Sequence, residues 1–225
     1  MGWYPRALLA SLPLAVPAPG LAAQQARDAG TFVVTVNGAV IAREEFTVRD
    51  GRGDARDGFT VTARRFGPEG GDPVLVLTVE LGPDSQLTTA QLAEPARQRR
   101  TYIQASPRRV TVRAVTPSGE SVREYPGANA LWLADDSGVA GFVLPPRPDA
   151  HTMTLLWPRD DRRETLELTD RGVESIPTGA GTLRARHVVL GSATDERHFW
   201  YDEQGRLRKV EIPGRGFIAA RAGMP

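Results

Sequence analysis

Thr31-Phe32-Val33-Val34-Thr35-Val36-Asn37-Gly38, running on into Ala39-Val40-Ile41-Ala42-Arg43-Glu44-Glu45-Phe46-Thr47-Val48, is the stretch that decides the fold. Two apolar-rich runs flank Asn-Gly, a dipeptide that tolerates positive φ at both central positions of a type I′ turn. The pattern predicts a β-hairpin. In the second run Val40, Ala42, Phe46 and Val48 share one face, and Arg43, Glu45 and Thr47 share the other. Glu44 is a charge on the apolar face.

The same period of two recurs along the chain. Residues 59–63, 74–81, 100–104, 109–115 and 121–125 read as strands, as do 153–157, 164–169, 172–176, 182–190, 197–201, 206–212 and 217–220. The run 74–81 is apolar enough to be covered on both faces. Residues 86–93 read as a strand or a short helix, and Pro95 stops either. This many short strands between Gly, Pro and Asp turns predict an all-β protein, with an antiparallel curved sheet forming a half-barrel or barrel. The stretch 129–144 breaks the alternation and reads as a short helix or lid. After it, Pro145-Pro146-Arg147-Pro148 is a stiff spacer. The reading is therefore one β domain over 24–225, with possible halves 24–144 and 149–225.

At the N-terminus Arg6, the small and apolar run 7–21 and the Ala23-Gln24 junction read as an export signal over residues 1–23. The expected location is the periplasm or the extracellular space. No later segment is apolar and long enough for a transmembrane helix. The sequence has no Cys, which removes disulfides and thiol chemistry. Lys+Arg 28 against Asp+Glu 27 leaves a net charge of +1, so nothing points to nucleic acid as a partner.

Catalytic motifs are scarce. Gly-x-Ser-x-Gly, His-Glu-x-x-His and Gly-x-x-x-x-Gly-Lys are absent. Asp136-Ser137-Gly138 resembles the loop of retroviral-type aspartic proteases, but no second such triplet is present and the flanking apolar run is missing. It reads as a turn. Arg52-Gly53-Asp54 lies in a loop already made of those residue types. His187 and His198 fall on neighbouring strands and can meet, which opens a hydrolase or a metal as an alternative if a third group converges on them. No metal ligand set and no cofactor is assigned. The aromatic residues carry a different reading. Trp132, Phe142, Trp157, His198 and Trp200 are the candidate ligand-binding residues, lining a concave sheet that could hold an apolar molecule.

The stretch 183–218, with Phe199-Trp200-Tyr201-Asp202 followed by Gly205-Arg206-Leu207-Arg208-Lys209-Val210-Glu211, resembles the C-terminal signature of exported bacterial β-rich domains of unknown function. The opening from Gly30 through Asn37-Gly38 to Phe46 resembles their first hairpin. In outline such domains are similar to the carriers of outer-membrane lipoproteins, the Lol group, which hold acyl chains in a half-barrel. The resemblance implies a non-catalytic cell-envelope protein that binds a lipid or other amphiphile, and it carries over no ligand residue. The alternative is an envelope assembly or scaffold protein that docks through a sheet edge.

Overall fold

Asn37 (φ 50°) and Gly38 (φ 81°) close the turn between β1 (Asp28–Val36) and β2 (Ala39–Asp50), with Val36 paired to Ala39. The computed structural model describes residues 26–51, 57–127, 131–135, 137–178, 181–191 and 195–223. The expected export signal, Arg52-Gly53-Asp54, Asn129 and Asp136 lie outside the described residues.

The first half continues with β3 (Phe59–Gly67), β4 (Gly70–Leu81), β5 (Leu87–Glu94), β6 (Arg99–Ala105), β7 (Arg109–Thr116) and β8 (Gly119–Pro126). The second half holds β9 (Leu131–Leu133), β10 (Thr152–Trp157), β11 (Arg162–Thr178), β12 (Gly181–Leu190), β13 (Arg197–Tyr201), β14 (Leu207–Ile212) and β15 (Phe217–Arg221). Together they form one 15-stranded sheet in the order β8-β7-β6-β5-β4-β3-β2-β1-β15-β14-β13-β12-β11-β10-β9. Every pair is antiparallel except β9 with β10. The edge strands β8 and β9 do not pair with each other, so the sheet curves like a barrel without closing. Register shifts at Val34/Thr35, Arg65/Gly67, Glu80/Leu81, Asp170/Gly172 and Trp200/Tyr201 supply bends.

Alternation places Phe32, Val34, Phe46, Val48, Val61, Leu77, Leu92, Val112, Phe199, Val210 and Phe217 in a single core. The two runs predicted at 164–169 and 172–176 are one strand, β11, with the bulge between them. The ambiguous 86–93 run is the strand β5. β4 differs from its sequence reading: Val74 is 48% exposed, so its outer face is uncovered.

Two corners share one device. Pro95–Arg97 and Pro213–Arg215 are 3-10 turns. Each closes on a left-handed residue, Gln98 or Gly216, whose N–H donates to the proline carbonyl at 3.0 and 3.1 Å. Among the described residues no helix is long and apolar enough to cross a membrane, a statement that does not concern strands.

Candidate functional site

The meander has two ends. The near end carries the Asn37–Gly38 turn, and the far end carries the turn between β13 and β14. Residues 131–135 and 137–144 thread the interior between them. β9 runs toward the near end in parallel with β10, and all three of its residues are buried. The chain turns at the near end around Asp135 and Gly138, with Gly138 N–H donating to the Asp135 carbonyl at 3.3 Å. It returns through a 3-10 turn, Ala140–Phe142, and leaves at the far end, where Pro145 lies over Gly205. The irregular segment of the sequence is thus an internal plug.

Six large apolar side chains of the plug are buried: Leu131, Trp132, Leu133, Val139, Phe142 and Val143. Phe142 packs on Trp132 and Phe199, with ring centroids 5.7 and 4.9 Å apart. The Tyr201 hydroxyl donates to the Phe142 carbonyl at 2.9 Å, and complete burial pushes its pKa well above the ordinary phenol value. Crevices beside the plug measure about 10 Å³, the size of a single water site.

A polar latch holds the plug tip to the wall. Glu44, the charge on the apolar face of β2, is 1% exposed. Its Oε1 accepts from the Val139 and Ala140 N–H groups at 2.9 and 2.6 Å, and its Oε2 accepts from Arg65 Nε at 2.9 Å. Arg65 Nη1 also donates to Asp135 Oδ2 at 3.0 Å and to Ser137 Oγ at 2.7 Å. Arg159 bridges Asp135 Oδ1 at 2.9 Å and Glu94 Oε1 at 3.1 Å. Burial acts to raise the pKa of Asp135, but Arg65, Arg159 and the Ser137 hydrogen bonds outweigh it and hold the carboxyl below its ordinary range. Burial likewise opposes the charge on Arg65, yet Glu44 and Asp135 keep its pKa raised.

A cleft of about 320 Å³ opens at the near rim against the plug tip. Ile41, Phe66, Val74 and Ala96 form apolar walls, and Arg97 and Arg159 border them. Two of the six exposed large hydrophobic side chains among the described residues line the cleft: Ile41 (37%) and Val74 (48%). Sequence reading passed over this place. Its signal was present as apolar residues at outward positions of the two strands that flank β3, Ile41 beside Arg43 and Glu45 on β2, and Val74 beside Val76 on β4. A larger groove of about 670 Å³, lined by Thr31, Glu45, Thr47, Thr62, Arg64 and Thr78 among others, crosses the outer face of β1 to β4 and is mainly polar.

The five candidate residues divide between two faces. Trp132, Phe142 and Trp157 lie in the interior, with Trp157 1% exposed beneath the Arg162 guanidinium at 3.8 Å. His198 and Trp200 lie on the outer face of β13, where Trp200 joins Ile176 and Ala185 in a separate cluster. Strand alternation explains the division, because Phe199 points inward and its neighbours point out. His187 and His198 do meet, with Nε2 and Nδ1 2.9 Å apart. Their outward nitrogens face Glu174 at 3.3 Å and Glu196 at 3.2 Å, and Trp200 stacks on His187 at 4.6 Å. All four ring nitrogens are engaged. Among the described residues no group of three metal-ligating side chains forms.

Fold and site together define a barrel-like, open-sheet β protein with an internal plug and an apolar cleft on one rim. A solved structure with this fold is the β-barrel-like protein of a domain of unknown function, DUF1849, from Brucella abortus. It matches with a TM-score of 0.53 and 12% identity, over 86% of this chain and 94% of that one. At this identity the likeness is one of fold. No protein-family model matches the chain, and no curated protein matches it.

Proposed function

We propose that the protein is exported by its first 23 residues and acts in the cell envelope as a non-catalytic binder of a small amphiphile, the ligand class implied by its resemblance to Lol-type carriers. One observation carries the reading: the near-rim cleft, with its exposed apolar walls beside arginines. The ligand sits at the rim and not in the interior. Burying a large apolar side chain contributes about 1.5–3 kcal/mol, so expelling the six of the plug would cost on the order of 10 kcal/mol, comparable with the whole stability of a typical domain. Trp132, Phe142 and Trp157 then keep the barrel filled, and His198 and Trp200 brace its outer face.

Native mass spectrometry of the protein taken from its own envelope tests this. A co-purifying small amphiphile is expected, and Val74→Asp, which sets a charge on the apolar wall, should release it. Bare polypeptide in the parent protein would end the reading.

The free edge favours a second reading, an assembly or scaffold protein. Among the described residues β8 pairs only with β7, and its Val122 is 56% exposed. A stable protein complex without an amphiphile would support it.

A further inference from the structure

We infer that the near-rim cleft takes a single-chain amphiphile with an anionic head group, a carboxylate of the fatty-acid type, and that Arg97 is its principal head-group contact. The inference rests on the amphiphile reading above and adds the charge and size of the ligand. The cleft is lined by three guanidiniums, Arg65, Arg97 and Arg159, against the one carboxylate of Glu94. These groups are not equivalent. Arg65 spends its donors on Glu44, Asp135 and Ser137 inside the latch. Arg159 commits both terminal nitrogens, to Glu94 and Asp135. Arg97 touches Glu94 with Nη1 alone, at 3.3 Å, and its side chain is 70% exposed. It keeps donors for an incoming carboxylate, which a guanidinium fork suits.

The position of Arg97 is fixed from below. It ends the 3-10 turn Pro95–Arg97, held by the proline ring and the left-handed Gln98, so its guanidinium stands over the rim beside Ala96. An anionic head at Arg97 directs an attached chain along Phe66, Ile41 and Val74. A volume of about 320 Å³ is near the lower bound for small-ligand sites and suits one chain of moderate length, not a diacyl lipid. Exposure of Arg97 also makes the contact sensitive to salt.

Binding of decanoate, decanol and decyltrimethylammonium to the purified protein separates the possibilities, measured by calorimetry at low and high salt. Decanoate should bind at least about tenfold more tightly than decanol, since a hydrogen bond to a charged group is worth that factor or more. Arg97→Gln should equalise the two while leaving the melting temperature unchanged, because Arg97 is exposed. High salt should shrink the difference. Equal binding of decanoate and decanol in the parent protein, or a preference kept in Arg97→Gln, would overturn the head-group inference and leave the amphiphile reading standing. Binding to phosphatidylglycerol vesicles without binding of free decanoate would overturn the choice of a single-chain ligand. Failure of all three probes would overturn the inference and the amphiphile reading together.

Discussion

Glu44 joins two backbone N–H groups of the plug to Arg65 of the wall. Removing it leaves a buried guanidinium short of a partner, and breaking a buried pair in this way costs about 3–5 kcal/mol. Glu44→Ala should therefore lower urea stability by about that amount, while Glu44→Gln, which keeps the acceptor, should cost less. Gly138 belongs to the same contact: a Cβ there would lie 1.6 Å from Arg65 Nη2 and 2.3 Å from Glu44 Oε2. The histidine pair gives a second expectation. Burial lowers the His187 pKa below its ordinary 6.5, Glu174 opposes that, and His198 adds to it. Arg171 adds to the lowering, and Asp170, Glu196 and Lys209 also lie in the charged surroundings of the pair. The unfolded chain then takes up the proton at higher pH than the folded one. The stabilisation is complete above about pH 6.5 and is lost as pH falls through the folded value. Melting temperatures should decline as the pH falls below about 6.5, and His187→Gln should flatten that slope. An identical slope in the variant would refute the link. Glu44 was visible in the sequence as a charge out of phase with its strand. Its partners were not, because Arg65 lies 21 positions away and the Arg65–Asp135 contact spans 70.

Strands were legible wherever one face meets the core and the other meets water. The first hairpin is the clearest case, and its turn supplies a test. A Cβ on Gly38 would meet nothing within 4 Å, so the φ of 81° is the entire constraint. Gly38→Val should cost on the order of 1 kcal/mol or more through backbone strain alone. A melting temperature equal to that of the parent would show that the turn has another way to close. β9 escaped notice because a strand of three residues buried on both sides has no alternation to read. The division of the aromatic candidates was partly readable. His198 and Trp200 are two apart in one strand and must share a face, so they go together to the inside or the outside. That the inner side would be filled by the chain itself depended on where residues 131–135 and 137–144 run, and no local pattern carries that.

At the scale of the molecule, the pairing of β1 with β15 was beyond local reading. Hairpins announce which strands are consecutive neighbours, whereas this contact joins the two ends of the chain. It lies in the middle of the sheet, with Phe32 opposite Arg221 and Val36 opposite Phe217. Without β15 the sheet falls into two pieces, β1 to β8 and β9 to β14. Ending the chain before Phe217 should abolish the cooperative thermal transition, and a sharp transition in such a fragment would contradict the topology. Asp28 and Arg221 also form an ion pair, so the strand ends lie side by side. A circular permutant follows. With Asp28 and Arg221 bridged by a short linker and the chain opened between Gly127 and Leu131, spatial order and chain order coincide, from β9 through β15 and β1 to β8. Every neighbouring pair then becomes local, and the longest-range pairing of the native chain disappears. Because folding speeds up as contacts become more local, the permutant should refold faster than its parent while keeping the same sheet.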